Sequence, residues 1–222
     1  MKSVKDTVHE AVRLRAGNVV LEGDLELPTN AAGVVLFAHG SGSSRRSPRN
    51  RLVAESLRRA GLGTLLFDLL SAPEDAVDAR TMHLRFDITL LAGRLACAVD
   101  WIRNQAEVKP LSIGLFGAST GAAAALVAAA QRPAAVSAVV SRGGRPDLAG
   151  AALPAVAAPT LLIVGENDPE VLDLNKQAQR ALRCESKLEI IPGASHLFEE
   201  TGALDKVARL AGDWFRRKLG PR

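Results

Sequence analysis

Tyrosine is absent from this chain, and all aromatic residues together make up 4% of it. Stacking platforms of the kind that hold single-stranded nucleic acid are therefore scarce. Cysteine is nearly absent too. Cys97 and Cys184 are too few for a disulfide framework, and both sit in apolar, periodic stretches. There they read as small buried hydrophobes of a protein kept in a reducing compartment. No apolar run reaches membrane-spanning length; the longest block, Ala122 to Ala130, is alanine-rich and far too short. The opening MKSVKDTVHE lacks the apolar stretch of a signal peptide. The expectation is a soluble, cytoplasmic protein with no membrane partner. Neither sign of charge dominates, since 28 Lys and Arg face 24 Asp and Glu for a net +4. Basic residues are interleaved with acidic ones, as in Glu55–Arg58–Arg59 and Asp213–Arg216–Arg217. They read as a solvated surface, and no nucleic-acid partner is expected.

What the chain does have is a regular alternation of two hydrophobic patterns. At 222 residues, 47% hydrophobic and 23% charged, it is long enough to bury a large core and reads as one domain over 1–222. Val8–Arg13 and Val19–Leu27 alternate apolar and polar residues around Ala16-Gly17-Asn18, which predicts an N-terminal β-hairpin over about 8–27. Continuous apolar runs follow at Gly33–Ala38, Gly63–Asp68, Leu111–Gly117, Val136–Val140 and Thr160–Gly165, with a weaker alternating one at Lys187–Ile191. Runs that are apolar on both faces suit parallel strands covered by helices on each side. Helical stretches fill the gaps. One opens at Ser47-Pro48 and ends at Gly61; the others are Asp87–Asn104, Thr120–Gln131, Glu170–Leu182 and Leu204–Lys218. Leu69–Phe86 reads as a loop. The order is that of a doubly wound α/β sheet, and no repeat or low-complexity linker argues for a second domain.

The motif that carries chemistry is Gly117-Ala118-Ser119-Thr120-Gly121, a G-x-S-x-G between a buried strand and a helix. A nucleophilic serine needs a tight strand-to-helix turn that lifts its hydroxyl above the sheet. The glycines leave room for that turn, and the helix start turns its amides toward developing negative charge. His39-Gly40-Ser41-Gly42-Ser43-Ser44 follows the Gly33–Ala38 strand and reads as the second source of oxyanion donors. The expected donors are the amides of Ser41, with Gly42 as the alternative, and of Thr120. A phosphate cradle is the rival reading, but the loop lacks both the G-K-[ST] ending and the G-x-G-x-x-G spacing.

Serine alone is a weak nucleophile, so a base and an orienting acid are required. The Thr160–Val164 strand ends in Gly165-Glu166-Asn167-Asp168-Pro169, and the Lys187–Ile191 strand ends in Pro192-Gly193-Ala194-Ser195-His196. Asp168 and His196 thus leave the sheet on the same edge in the order Ser, acid, His, with Glu166 as the competing acid. His39 sits inside a loop used for backbone donation and reads as structural; His9 and His83 lack the context of a base.

On "FAHGSGSSRRSPRN", "GLFGASTGAAAAL", "LLIVGENDPEVLDLN" and "IPGASHLFEE", the chain resembles the α/β-hydrolase superfamily, and more narrowly the small dienelactone-hydrolase-like esterases. The likeness covers roughly residues 33–214. It implies a mostly parallel eight-stranded sheet with the second strand antiparallel, no cofactor or metal, and hydrolysis of a small-molecule carboxylic ester. Dienelactone hydrolases proper carry a cysteine nucleophile where this chain has Ser119, so a dienelactone substrate does not carry over. Ser141–Pro159 leaves room for a loop and one short helix, so no separate lid domain is expected.

Leu69, Leu70, Leu148, Val171, Leu197 and Phe198 lie just beyond strand ends and are candidates for a shallow acyl pocket. Arg142 and Arg145, with Arg45 and Arg46 after the oxyanion loop, would favour a carboxylate or phosphate on the substrate. The alternative is surface pairing with Asp147, Glu166 or Glu170. The same machinery serves an acyltransferase, thioesterase or amidase, and a catalytically silent binding module is the reading from another class. The sequence leaves monomer and homodimer equally open.

Overall fold

The alternating N-terminal segment and the apolar runs each become strands, in a computed structural model that describes residues 7–220. β1 (Thr7–Ala16) and β2 (Val19–Pro28) pair antiparallel from Thr7↔Pro28 to Ala16↔Val19, and Gly17 supplies the positive φ (62°) of the turn. Alternation buries Val12, Leu14, Leu21 and Leu25 and leaves Arg13, Arg15 and Glu22 exposed. The continuous runs form β3 (Gly33–Ala38), β4 (Gly63–Phe67), β5 (Ser112–Ala118), β6 (Val136–Arg142) and β7 (Thr160–Gly165), almost wholly buried, followed by the edge strand β8 (Ser186–Ile191). The eight-stranded sheet has the order β1-β2-β4-β3-β5-β6-β7-β8. Only the β1–β2 and β2–β4 pairs are antiparallel.

Helices cover both faces, as strands apolar on both sides require. α1 (Pro48–Arg59) and α6 (Ala203–Leu219) pack over Val35, Phe37, Phe116 and Val140. α3 (Ile88–Ile102) and α4 (Thr120–Gln131) pack over Leu36, Leu65, Leu115 and Val139, and α5 (Pro169–Ala181) lies beside β7 and β8. Ser47 caps α1 by accepting Asn50 N–H at 3.4 Å, and Gly61 (φ 82°) ends it; Asp87 caps α3 by accepting Leu90 N–H at 2.9 Å.

The structure corrects the reading of residues 69–86 as a loop. They contain α2 (Ala72–Thr81) and a 3₁₀ turn at Leu84–Phe86. Glu74 accepts from the amide and hydroxyl of Ser71, at 2.8 and 2.9 Å, in place of an apolar stripe: the one buried residue of α2 is Asp78. Residues Pro146–Ala155 between β6 and β7 form 3₁₀ turns kinked at Gly150, so no lid domain interrupts the sheet. Cys97 and Cys184 are half-buried rather than buried, Cys184 because it lies beside the sheet edge. No helix among the described residues is long and apolar enough to cross a membrane.

Two glycines let backbone lie directly against backbone at the ends of the central strands. A Cβ at Gly121 would collide with Ala38 O and come within 2.5 Å of His39 O; one at Gly165 would collide with Ala194 O and lie 2.7 Å from Ser195 O. By contrast a Cβ at Gly93, inside α3, meets nothing within 4 Å. Gly121→Ala should therefore lower the unfolding free energy by about 2 kcal/mol or more, whereas Gly93→Ala should raise it by roughly 0.5–1 kcal/mol, in urea denaturation. Equal stabilities for the two variants would show that the β3–α4 contact is loose.

Candidate active site

The elbow is built by steric necessity. Ser119, between β5 and α4, holds φ 51° and ψ −123°, a region that costs a non-glycine residue about 1–3 kcal/mol. The conformation is held from three sides. Its N–H donates to Arg142 O at 3.2 Å, and its carbonyl accepts from Ala122 N (3.0 Å) and Arg145 N (3.1 Å). A Cβ at Gly117 would come within 2.5 Å of Gly121 O, so only glycine lets the strand turn directly into the helix. Ser119 is half-buried and thus reachable.

The loop after β3 lies directly against this elbow: a Cβ at Gly40 would sit 3.1 Å from Ser119 Cβ. Ser41 and Gly42 are exposed, and Thr120 stands at the first position of α4, where helix geometry leaves its N–H without an intrahelical acceptor. The loop is pinned at both ends and in the middle. Buried His39 accepts Leu69 N–H on Nε2 at 3.0 Å, so its proton is on Nδ1, 3.0 Å from Gly40 O. Burial pushes the His39 pKa below its ordinary value and keeps the ring neutral. Arg45 N–H donates to Asp68 Oδ1 at 2.8 Å, while its guanidinium pairs with Asp68, Glu22 (2.8 Å) and Asp24 (3.7 Å). In the middle, Arg85 is clamped by buried Asp78 through Nε at 2.6 Å, and its Nη1 lies 3.2 Å from where a Cβ on Gly42 would stand. Neither Asp78 nor Arg85 was among the sequence candidates. The Ser71-x-x-Glu74 capping box was the signal that could have located their segment.

Asp168 and His196 meet where β7 and β8 end. His196 Nδ1–H donates to Asp168 Oδ2 at 2.6 Å, which leaves Nε2 for another partner. Backbone contacts set the separation: Glu166 N donates to Ile191 O (3.0 Å) and Asn167 N to Ala194 O (2.9 Å). The Glu166 carboxylate is occupied elsewhere, accepting Gly193 N–H at 2.8 Å. The His196 ring lies beside Gly143, where a Cβ would be 3.7 Å from His196 Cε1, and Gly143 follows the residue whose carbonyl holds Ser119. The structure thus joins Asp168 to His196 and sets the His196 ring beside the segment that holds Ser119. It forms no hydrogen bond between His196 and the Ser119 hydroxyl.

Residues 21–218 match the dienelactone hydrolase family. The chain belongs to that family. A dienelactone hydrolase from Anabaena variabilis is 58% identical and superposes with a TM-score of 0.95 over 96% of this chain and 99% of that one. A dienelactone hydrolase-like promiscuous phosphotriesterase from metagenomic libraries shares the fold, with TM-score 0.80 over 97% and 100% of the two chains at 17% identity. Two Mycobacterium tuberculosis proteins named as phosphoribosyl transferases are 55% identical over 206 residues, which is 93% of this chain and 46% of theirs. The chain therefore spans about half the length of these curated relatives.

Within this dienelactone hydrolase-family scaffold, the substrate-binding candidates separate by burial. Leu69, Leu70, Val171 and Phe198 are buried, whereas Leu148 and Leu197 are each 38% exposed. The first four belong largely to the core because the ends of the strands are themselves covered; Leu70 also lines a cleft of about 390 Å³ beside His39 and Ser43. Arg145 forms a two-point pair with Asp147, at 2.9 and 2.8 Å, the surface pairing weighed against a substrate role. Arg45 is spent on three carboxylates and Arg46 is exposed. Arg142 is buried.

The neutral His39 gives a pH signature. Its native pKa lies below the ordinary 6.5, so on acidification the unfolded chain takes up the proton first. This contribution to stability is complete above about 6.5 and is lost as pH falls below it. His39→Gln should lose less unfolding free energy than the native protein between about pH 7.5 and 5, by urea titration at each pH. Parallel curves would mean that the His39 pKa is the same in the folded and the unfolded chain.

Proposed function

We propose that this protein is a serine hydrolase that cleaves a small-molecule carboxylic ester through an acyl-enzyme. Ser119 is the nucleophile, His196 the general base and Asp168 the residue that fixes the imidazole. The Asp168–His196 hydrogen bond of 2.6 Å is the observation that carries the reading, because it holds the Nδ1–H tautomer and turns the basic Nε2 outward. His196 Nε2 takes the hydroxyl proton as Ser119 Oγ attacks the ester carbonyl. The same imidazolium then returns that proton to the departing alkoxide. Water repeats the sequence on the acyl-enzyme, with His196 again as base, and releases the acid and free Ser119. Each tetrahedral oxyanion is received by the amides of Ser41 and Thr120, supported by the start of α4. In enzymes of this chemistry the nucleophile–base hydrogen bond is often long until substrate binds, which accommodates its absence here. The phosphoribosyl-transferase name of the curated relatives describes, in this reading, the half of those proteins that lies outside the match.

A fluorophosphonate probe should label Ser119 stoichiometrically by mass spectrometry of the tryptic digest. Ser119→Ala should abolish labelling and lower p-nitrophenyl butyrate turnover by about a thousandfold or more while the protein stays folded. Full activity in that variant would rule Ser119 out as nucleophile. Asp168→Asn should cost far more in kcat than Glu166→Gln, since only Asp168 touches the imidazole; the reverse order would reassign the acid.

A further inference from the structure

α2 and the 3₁₀ turn after it carry an ion pair that the proposed chemistry does not use. Asp78 is 1% exposed, the one buried residue of α2. Its carboxylate accepts the amides of Leu84 and Arg85, at 2.7 and 3.3 Å, and Nε of Arg85 at 2.6 Å. Arg85 Nη2 also donates to the Asp78 carbonyl, at 3.1 Å. Side-chain and backbone oxygens of one residue thus fix both the position and the plane of the guanidinium. A carboxylate buried at this depth without its cation would be costly, so the two residues work as a pair.

Nη1, which neither contact uses, lies against the loop after β3, 3.2 Å from where a Cβ on Gly42 would stand. The gap between the ion pair and this loop is about 10 Å³, on the order of one water molecule, so the crest has little room to shift while Arg85 stays in place. Gly40 to Ser43 make a tight turn, closed by Ser43 N–H on Gly40 O at 3.2 Å, with Gly42 in its third position at φ 66°. That is the φ of a type II turn. The type I form needs a negative φ there and turns over the peptide between Ser41 and Gly42, which re-aims the amides of the crest. Both residues are exposed, so apolar packing does not choose between the two forms. Arg85 packs against the positive-φ form.

We propose that Arg85, anchored by Asp78, is a positioning residue for catalysis: its guanidinium holds the Ser41–Gly42 crest in the turn form that aims the donor amide at the developing oxyanion. The inference rests on the serine-hydrolase reading and adds to it a residue that acts through the loop without touching substrate. An oxyanion donor is worth most when it needs no reorientation at the moment of reaction, so loss of Arg85 acts on kcat and leaves binding of the uncharged ester unchanged.

The test uses two variants. Arg85→Lys keeps a charge beside Asp78, but a single ammonium cannot hold Asp78 and reach Gly42 together. The double variant Asp78→Asn, Arg85→Gln removes both charges and leaves no unpaired buried carboxylate, so it keeps the test open should the single one fold poorly. With p-nitrophenyl butyrate, kcat should fall about tenfold to a hundredfold in both, with KM within about twofold of native. A trifluoromethyl ketone, whose carbonyl oxygen becomes an oxyanion when Ser119 Oγ adds to it, should bind more weakly by a similar factor. Arg132→Gln, which opens the Asp100 pair at the other end of α4, should leave kcat, KM and ketone affinity native and so separates the effect from a general loss of stability. Native kcat in either folded variant overturns the proposal. So does a raised KM at native kcat, which would mean that Arg85 contacts the substrate, or a loss of kcat with unchanged ketone affinity. Ser119→Ala is assayed alongside. If it stays active, the serine-hydrolase reading fails and takes the positioning role with it; if it is inactive while the Arg85 variants are native, the positioning role alone fails.

Discussion

Backbone meets backbone without an intervening Cβ at the ends of the central strands, and the candidate active site depends on it. Gly121 lets α4 start against the carbonyls that end β3, and Gly165 lets the end of β7 lie against the carbonyls of Ala194 and Ser195. Gly40 brings the loop after β3 onto Ser119. A side chain at Gly121 or Gly165 would force the backbones apart, and one at Gly40 would press on Ser119 Cβ and shift the loop after β3 by a few tenths of an ångström.

Once these contacts are made, polar groups fix what remains mobile. Neutral His39 ties the loop after β3 to the end of β4, and Arg45 and Arg85 hold its far end and its crest. Glu166 and Asn167 hold the loop that carries His196, so Asp168 has only the ring to orient. The unusual φ of Ser119 is borne by three backbone hydrogen bonds, two of which come from the segment Arg142–Arg145. That same segment carries Arg142, which is buried at the end of β6.

Where period and flanking residues agreed, the sequence was readable. The hairpin, the buried parallel strands and helix α4 all follow from apolar alternation or from apolar runs bounded by glycine. G-x-S-x-G located the elbow because its glycines report a steric need that is local in the chain. α2 escaped because it has no apolar face; its one buried side chain, Asp78, is charged, and its only cue was the Ser71–Glu74 cap. Leu69 and Phe198 looked like pocket walls because strand ends are where pockets form, but covering helices and loops make those ends core. The fates of the arginines were not legible at all. Arg142 and Arg145 are three residues apart, yet one points into the α1–α6 face without a partner and the other pairs with Asp147 at the surface. Pairing of that kind is a property of tertiary distance, which spacing along the chain does not encode.

The most direct measurement is a crystal structure of the protein after fluorophosphonate inhibition. The expected result is a phosphonyl group on Ser119 Oγ, its oxygen about 3 Å from the Ser41 and Thr120 amides, and His196 Nε2 facing the adduct with Nδ1 still on Asp168. An adduct on another residue, or an imidazole turned away from Ser119 with its bond to Asp168 broken, would contradict a Ser119–His196–Asp168 mechanism.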